Sequence, residues 1–113
     1  KKTKTDRIYA VVNYEITEPP AAPSNLSATV GASTGTTTLV TLNWNDNSDN
    51  ELYFGIERST TSASTGFVLV GSEWPNTETH VDHAPDGATH YYRVGGFNSN
   101  GVSYSNVVTV VVP

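Results

Sequence analysis

Leu39-Val40-Thr41-Leu42-Asn43-Trp44 is the stretch that decides the fold. Val40, Leu42 and Trp44 fall on one side of an extended chain, and Thr41 and Asn43 fall on the other. Side chains alternate across a strand, so this run predicts a strand with one buried and one wet face. Similar runs lie on both sides of it. Upstream, Pro23 and Leu26 open a strand with Ala28 and Val30 on the same face, and 31–35 is a turn. Downstream, 45–51 is a polar loop and 53–58 a strand with Phe54 and Ile56 inward. A Ser/Thr-rich connection over 60–66 leads to a strand at 67–70, and 72–78 is a loop holding Trp74-Pro75. A short strand at 79–82 precedes the turn Pro85-Asp86-Gly87. His90, Tyr92 and Val94 alternate along the next strand, 98–101 turns, and 104–112 is the last strand. No segment carries a helical period. Short strands at this spacing predict an all-β sandwich.

Composition narrows the class. The 113 residues suffice for one domain with a single core. No apolar run is long enough to span a membrane, and no signal peptide is present in the sequence, which starts with Lys1 rather than Met. Cysteine is absent, which excludes disulfides and cysteine-based metal sites, and methionine is absent too. Ser and Thr account for 27 residues, a level that suits exposed strands and an extracellular or cell-surface setting. The net charge of −5 is unevenly spread. The first seven residues carry +3, from Lys1, Lys2, Lys4 and Arg7 against Asp6. From Pro19 onward, eight acidic residues face only Arg58 and Arg93, a net of −6. A body without a basic face has nothing to neutralise phosphates, so nucleic acid is not an expected partner.

Several short motifs act together in residues 21–113: Pro23-x-x-Leu26-x-Ala28, Leu42-x-Trp44, and Trp44-x-Asp46-Asn47-Ser48-x-Asn50-Glu51. Phe54-x-Ile56-Glu57-Arg58-Ser59, Thr89-x-x-Tyr92-Arg93-Val94, Asn98-x-x-Gly101 and Tyr104-Ser105-Asn106 complete the set. With these the chain resembles the fibronectin type III family over about ninety residues. The resemblance implies a seven-strand Greek-key immunoglobulin-like sandwich of two antiparallel sheets, with Trp44 central in the core. It also implies binding, spacing or assembly rather than catalysis. Two positions depart from the family pattern. His90 stands where a corner tyrosine is usual, and its imidazole is able to form a similar hydrogen bond or to protonate near neutral pH. His80 stands where an aromatic residue is common. The family's Arg-Gly-Asp adhesion triplet is absent.

Candidate chemistry is sparse. Asp46, Asp49 and Glu51 offer hard oxygen ligands in one loop, without EF-hand spacing or its glycine, and the loop reads better as Asx-type turn structure. His80, Asp82 and His83, with His90 nearby, resemble a metal triplet, but strand alternation puts His83 opposite the other two. No Ser-His-Asp arrangement and no glycine-rich phosphate loop can be argued, so no enzyme and no cofactor are expected. Trp74, Tyr53, Tyr91 and Tyr104 are candidates for a sugar-stacking platform, although aromatics in sandwiches more often cover the core rim. Asn25-Leu26-Ser27 is the one glycosylation sequon, so Asn25 and surface hydroxyls are candidate glycan sites.

One strand is left over. Residues 8–16 read Ile-Tyr-Ala-Val-Val-Asn-Tyr-Glu-Ile, with Ile8, Ala10, Val12, Tyr14 and Ile16 forming a wholly apolar face. Three readings compete for it: the last strand of an upstream domain, an added strand on its own sandwich, or a strand donated to a neighbouring copy. Residues 1–18 thus read as an arm, 19–23 as a Pro-rich hinge and 24–113 as the sandwich domain. Burying Ile8, Val12, Tyr14 and Ile16 contributes on the order of 6–10 kcal/mol. An extended, semi-rigid hinge would hold the arm away from its own domain and favour a neighbour. The expectation is therefore a subunit of an extracellular filament or pilus-like fibre, polymerising head-to-tail with copies of itself. Ile8, Ala10, Val12, Tyr14 and Ile16 would grip the neighbour, with Lys1, Lys2, Lys4 and Arg7 drawn to its acidic body. The alternative is a non-catalytic spacer or binding module of a larger secreted enzyme or adhesin.

Overall fold

Val40, Leu42 and Trp44 are all buried, and the strand that carries them, β2 (Thr37–Asn45), is central in its sheet. The computed structural model describes residues 17–113, so residues 1–16 of the predicted arm, with Ile8, Ala10, Val12, Tyr14, Ile16 and the four basic residues, lie outside the described part of the chain. β2 pairs antiparallel with β1 (Ser24–Ser33) on one side and β5 (Thr79–Pro85) on the other. The facing sheet runs β4 (Val68–Glu73), β3 (Tyr53–Ser59), β6 (Ala88–Asn98) and β7 (Gly101–Tyr104), with β8 (Val108–Val112) also pairing β6. This is a Greek-key sandwich of two antiparallel sheets with no helix among the described residues. Leu26, Val40, Leu42, Trp44 and Ala84 from the first sheet interleave with Phe54, Ile56, Tyr92, Val94, Val110 and Val112 from the second. Trp44 meets Phe54 edge-to-face at 5.7 Å.

The alternation holds where both neighbours of a strand are in place and fails at the edges. Val30, expected inward with Leu26 and Ala28, is half exposed because register shifts on either side of it bend β1. β4 runs on to Glu73, beyond the end expected for it, and β5 runs on to Pro85. The last strand starts at Gly101 and is interrupted at 105–107, where side chains replace the ladder. There the Val94 amide donates to Ser105 Oγ at 3.0 Å, and the Ser105 amide donates to the Val94 carbonyl at 2.8 Å. Asn106 reaches the opposite sheet. Its Oδ1 accepts from the Leu26 amide at 2.9 Å, and its Nδ2 donates to the Leu26 carbonyl at 3.1 Å. One side-chain amide therefore does for Leu26 what a neighbouring strand would do.

His90 takes over the corner position. The ring is fully buried, and Nε2 lies 2.8 Å from the Pro85 carbonyl. A carbonyl only accepts, so Nε2 carries the proton and the buried Nδ1 has no partner. Trp44 Nε1 is the other buried side-chain nitrogen without a partner among the described residues.

The segment expected as a hinge, and Glu18 just before it, are fastened to the body. The Glu18 carbonyl accepts from Asn98 Nδ2 at 2.8 Å and from Asn50 Nδ2 at 3.3 Å. The Ala22 carbonyl accepts from Asn47 Nδ2 at 2.9 Å. Pro20 is buried against Gly96, where a Cβ would come within 3.3 Å of its ring. These bonds place Glu18 at the pole where β3 begins and β6 ends. Pro113 lies at the opposite pole, where its carbonyl accepts from the Gly87 amide at 3.0 Å in the β5–β6 turn.

Candidate functional site

β3 and β6 turn Tyr53, Gly55 and Glu57, and Arg93, Gly95 and Phe97, away from the core, paired as Tyr53 with Phe97, Gly55 with Gly95 and Glu57 with Arg93. A solvent face usually carries polar side chains, yet this one joins a Glu–Arg pair to two aromatic rings and two glycines. The Tyr53 and Phe97 rings stack at 4.8 Å and 4°. Phe97 lies over Gly55 and Gly95, where a Cβ would come to 2.7 and 2.9 Å of its ring. Farther along, the Arg93 guanidinium sits between the Phe67 ring at 4.2 Å and the Tyr104 ring at 3.7 Å. Glu57 holds both, accepting from Arg93 Nε at 2.9 Å and from the Tyr104 hydroxyl at 3.0 Å. Burial, then the Glu57 carboxylate, push the Tyr104 phenol up.

At the N-terminal pole this face ends in a cleft of about 290 Å³ lined by Leu52, Tyr53, Ser72, Glu73 and Trp74. Trp74 is 81% exposed and Leu52 57% exposed. The Glu73 carboxylate is 2.6 Å from His80 Nδ1, which ties the free edges of the two sheets together. Trp74 and Tyr53 are among the aromatics expected to form a platform, whereas Leu52 carries no such signal in the sequence. Of the four platform candidates, only Trp74 and Tyr53 share the cleft. Tyr104 has one ring face occupied by Arg93, and Tyr91 is opposite Ser59, six residues along β6 from Phe97.

The metal candidates are committed elsewhere. Asp46 Oδ1 accepts from the Ser48 amide at 3.0 Å, and Glu51 accepts from the Ser48 hydroxyl at 2.7 Å and the Asn76 amide at 3.1 Å. Burial raises the Asp46 carboxyl. Burial acts the same way on Glu51 but is outweighed by the hydrogen bonds from Ser48 and the backbone, which lower it. Asp49, in the same loop, is exposed. The predicted separation of His80 and Asp82 from His83 holds in kind: Asp82 is buried, His80 is half-buried and His83 is exposed. No group of three or more potential ligands converges among the described residues. Asp82 instead pairs with Arg58 Nη1 and accepts from the buried Tyr92 hydroxyl at 2.6 Å. Burial and the Asp82 carboxylate push that phenol well above its ordinary value. Arg58-Asp82-Tyr92 pins β3 and β6 to β5 across the core rim. Its signal in the sequence was an arginine at the inward parity of β3, after Phe54 and Ile56. Asn25 is exposed, with φ 53° at the irregular start of β1.

Similar folds are found among solved structures. A fibronectin type III-like protein from Clostridium thermocellum matches with a TM-score of 0.63 and 23% identity, over 85% of this chain and 96% of that one. Domains of titin match with a TM-score of 0.64 and 18% identity, over 84% of this chain and 32% of the titin segment. A pectate lyase from Pectobacterium carotovorum matches with a TM-score of 0.61 and 19% identity, over 76% of this chain and 27% of the lyase. At these identities the likeness is one of fold, and the fold is fibronectin type III-like. No family model matches the chain. No curated protein sequence matches it.

Proposed function

We propose that this chain is a non-catalytic connector module of a larger extracellular protein, setting the spacing of what lies before and after it. One observation carries the reading: the chain arrives through a fastened segment at one pole, and its last described residue is at the other. A sandwich with its connections at opposite poles transmits position along its long axis, and a bonded linker removes the slack of a free one. Support also comes from the pectate lyase and titin matches, where a similar fold makes up about a quarter to a third of a longer chain. The occupied carboxylates and the shallow cleft give no purchase to a catalytic reading. The test is to place the chain between two rigid reporter domains and measure their separation by pulsed electron spin resonance. A narrow distribution that broadens in Asn50→Ala/Asn98→Ala is expected. A broad distribution indifferent to those substitutions would remove the reading.

A second reading is polymerisation by strand addition. It rests on the apolar alternation of residues 8–16 and on the exposed Val68 and Leu69 of β4, an edge strand able to receive another. Negative-stain microscopy of the protein beside Val12→Asp tests it. Fibres from the first and monomers from the second would favour it, and fibres from neither would end it.

A further inference from the structure

Three side chains lining the cleft at the N-terminal pole, Tyr53, Glu73 and Trp74, are held in place by residues behind them. We infer that this cleft binds a neutral polysaccharide, with Trp74 and Tyr53 stacking on sugar rings and Glu73 and Ser72 bonding sugar hydroxyls. The inference goes beyond the connector reading, which holds whether or not a sugar is bound.

The support behind Trp74 carries the argument. Trp74 opens a turn in which the Thr77 amide donates to its carbonyl at 3.3 Å. Pro75 fixes the second position of that turn, and Asn76 takes the third at φ 69°, which asparagine tolerates better than most residues. The Asn76 amide donates at 3.1 Å to Glu51, which is 6% exposed and also accepts from the Ser48 hydroxyl at 2.7 Å. A turn with a left-handed residue, braced by a buried carboxylate, thus displays an indole that the core does not use. Tyr53 is held by its stack on Phe97, which lies over Gly55 and Gly95. Glu73 is held through Oε2 by His80 Nδ1, and Gly71 leaves room for that imidazole, since a Cβ there would come to 2.7 Å of the ring. Glu73 Oε1 has no partner among the described residues and is left to accept. Side chains fixed in advance lose little freedom on binding.

The chemistry of the lining selects the ligand. A sugar ring offers a flat C–H face to an aromatic ring, and its hydroxyls donate to a carboxylate or exchange bonds with a serine. A chain of β-1,4-linked glucose, with its hydroxyls equatorial, presents such a face on both sides of each ring. Charge excludes the anionic glycans: of the two arginines among the described residues, Arg58 is paired with Asp82 and Arg93 with Glu57. A basic peptide is favoured less, because the neighbouring carboxylates are engaged within the protein. Asp46 accepts from the Ser48 amide, Glu51 from Ser48 and Asn76, and Glu78 from the Asp46 amide at 2.8 Å. At about 290 Å³ the cleft is near the lower end of ligand-site volumes, which suits one or two sugar rings rather than a helix.

Affinity electrophoresis of the full chain through gels containing hydroxyethylcellulose, a neutral glucan, tests the site, together with cellohexaose titrations read by tryptophan emission. Retardation by hydroxyethylcellulose and none by polygalacturonate is expected. Cellohexaose should shift the emission of the exposed Trp74 to shorter wavelength, while Trp44, 3% exposed, does not respond. Trp74→Ala should weaken binding about ten-fold or more, as loss of an aromatic anchor does. Tyr91→Ala, outside the cleft, should bind as the parent does. Trp74 is 81% exposed, so its replacement leaves the sandwich intact, and the buried emission of Trp44 reports that it does. No retardation of the parent, or retardation unchanged in Trp74→Ala, would overturn the inference. So would equal retardation by polygalacturonate. A response of Trp74 to hexalysine with none to cellohexaose would assign the cleft to a basic protein partner and overturn it as well.

Discussion

Replacing Asp82 by alanine should cost far more than removing a surface carboxylate. Asp82 is 7% exposed, its guanidinium partner on Arg58 is 19% exposed, and the Tyr92 hydroxyl that it accepts from is fully buried. Breaking a buried ion pair from one side costs about 3–5 kcal/mol, since the remaining charge stays desolvated. Arg58 keeps some water and a long contact to the His83 carbonyl, which puts its share near the low end, at about 3 kcal/mol. The orphaned Tyr92 hydroxyl adds about 1 kcal/mol. A loss of about 4 kcal/mol lowers Tm by roughly 15–30 °C in a domain of this size. Urea unfolding followed by tryptophan emission measures it, with the midpoint moving and the slope preserved. The companion Arg58→Met/Asp82→Leu/Tyr92→Phe should recover most of the loss, because it removes all three polar groups at once. A cost below about 1 kcal/mol for Asp82→Ala, as at an exposed pair, would refute the reasoning.

Asn106→Ala leaves both backbone groups of Leu26 without their partner and should cost about 1–3 kcal/mol, with faster amide exchange at Leu26 as the local readout. Exchange at Leu26 unchanged from the parent would contradict the bridging role. The raised Tyr92 phenol makes a pH prediction. Its proton is held more tightly in the folded state than the ordinary value of 10, so its contribution is complete below pH 10 and is lost as pH rises above it. Thermal unfolding from pH 8 to 11 should show that decline, and Tyr92→Phe should flatten it.

What the sequence made legible was whatever alternation alone determines. β2, β3 and β6 have a neighbour on each side and a core beneath, so Val40, Leu42, Trp44, Phe54, Ile56, Tyr92 and Val94 are buried as their spacing implies. The edges were less legible, because β1 and β4 answer to one neighbour only, and Val30 and the run to Glu73 went their own way. The hydrogen bond of His90 was foreseeable because its position defines a donor's job. The polar side chains that cross between elements were hidden. Asn50 and Asn98 are 48 residues apart, and nothing local says that both will hold Glu18. Composition gave no hint either that six aromatic rings would stand outside the core, since an aromatic at strand spacing reads equally well as interior.

The opposed poles have a mechanical consequence. A pull between Glu18 and Pro113 runs along β1 at one end and β8 at the other, so both strands are loaded parallel to their length. Their ladders to β2 and β6 are then strained all together rather than one rung at a time. Asn106, with its two bonds to Leu26, sits between the loaded strands and resists their sliding apart. A chain joined at both ends in this way yields by shearing, and its resistance to stretching exceeds what its thermal stability alone would suggest.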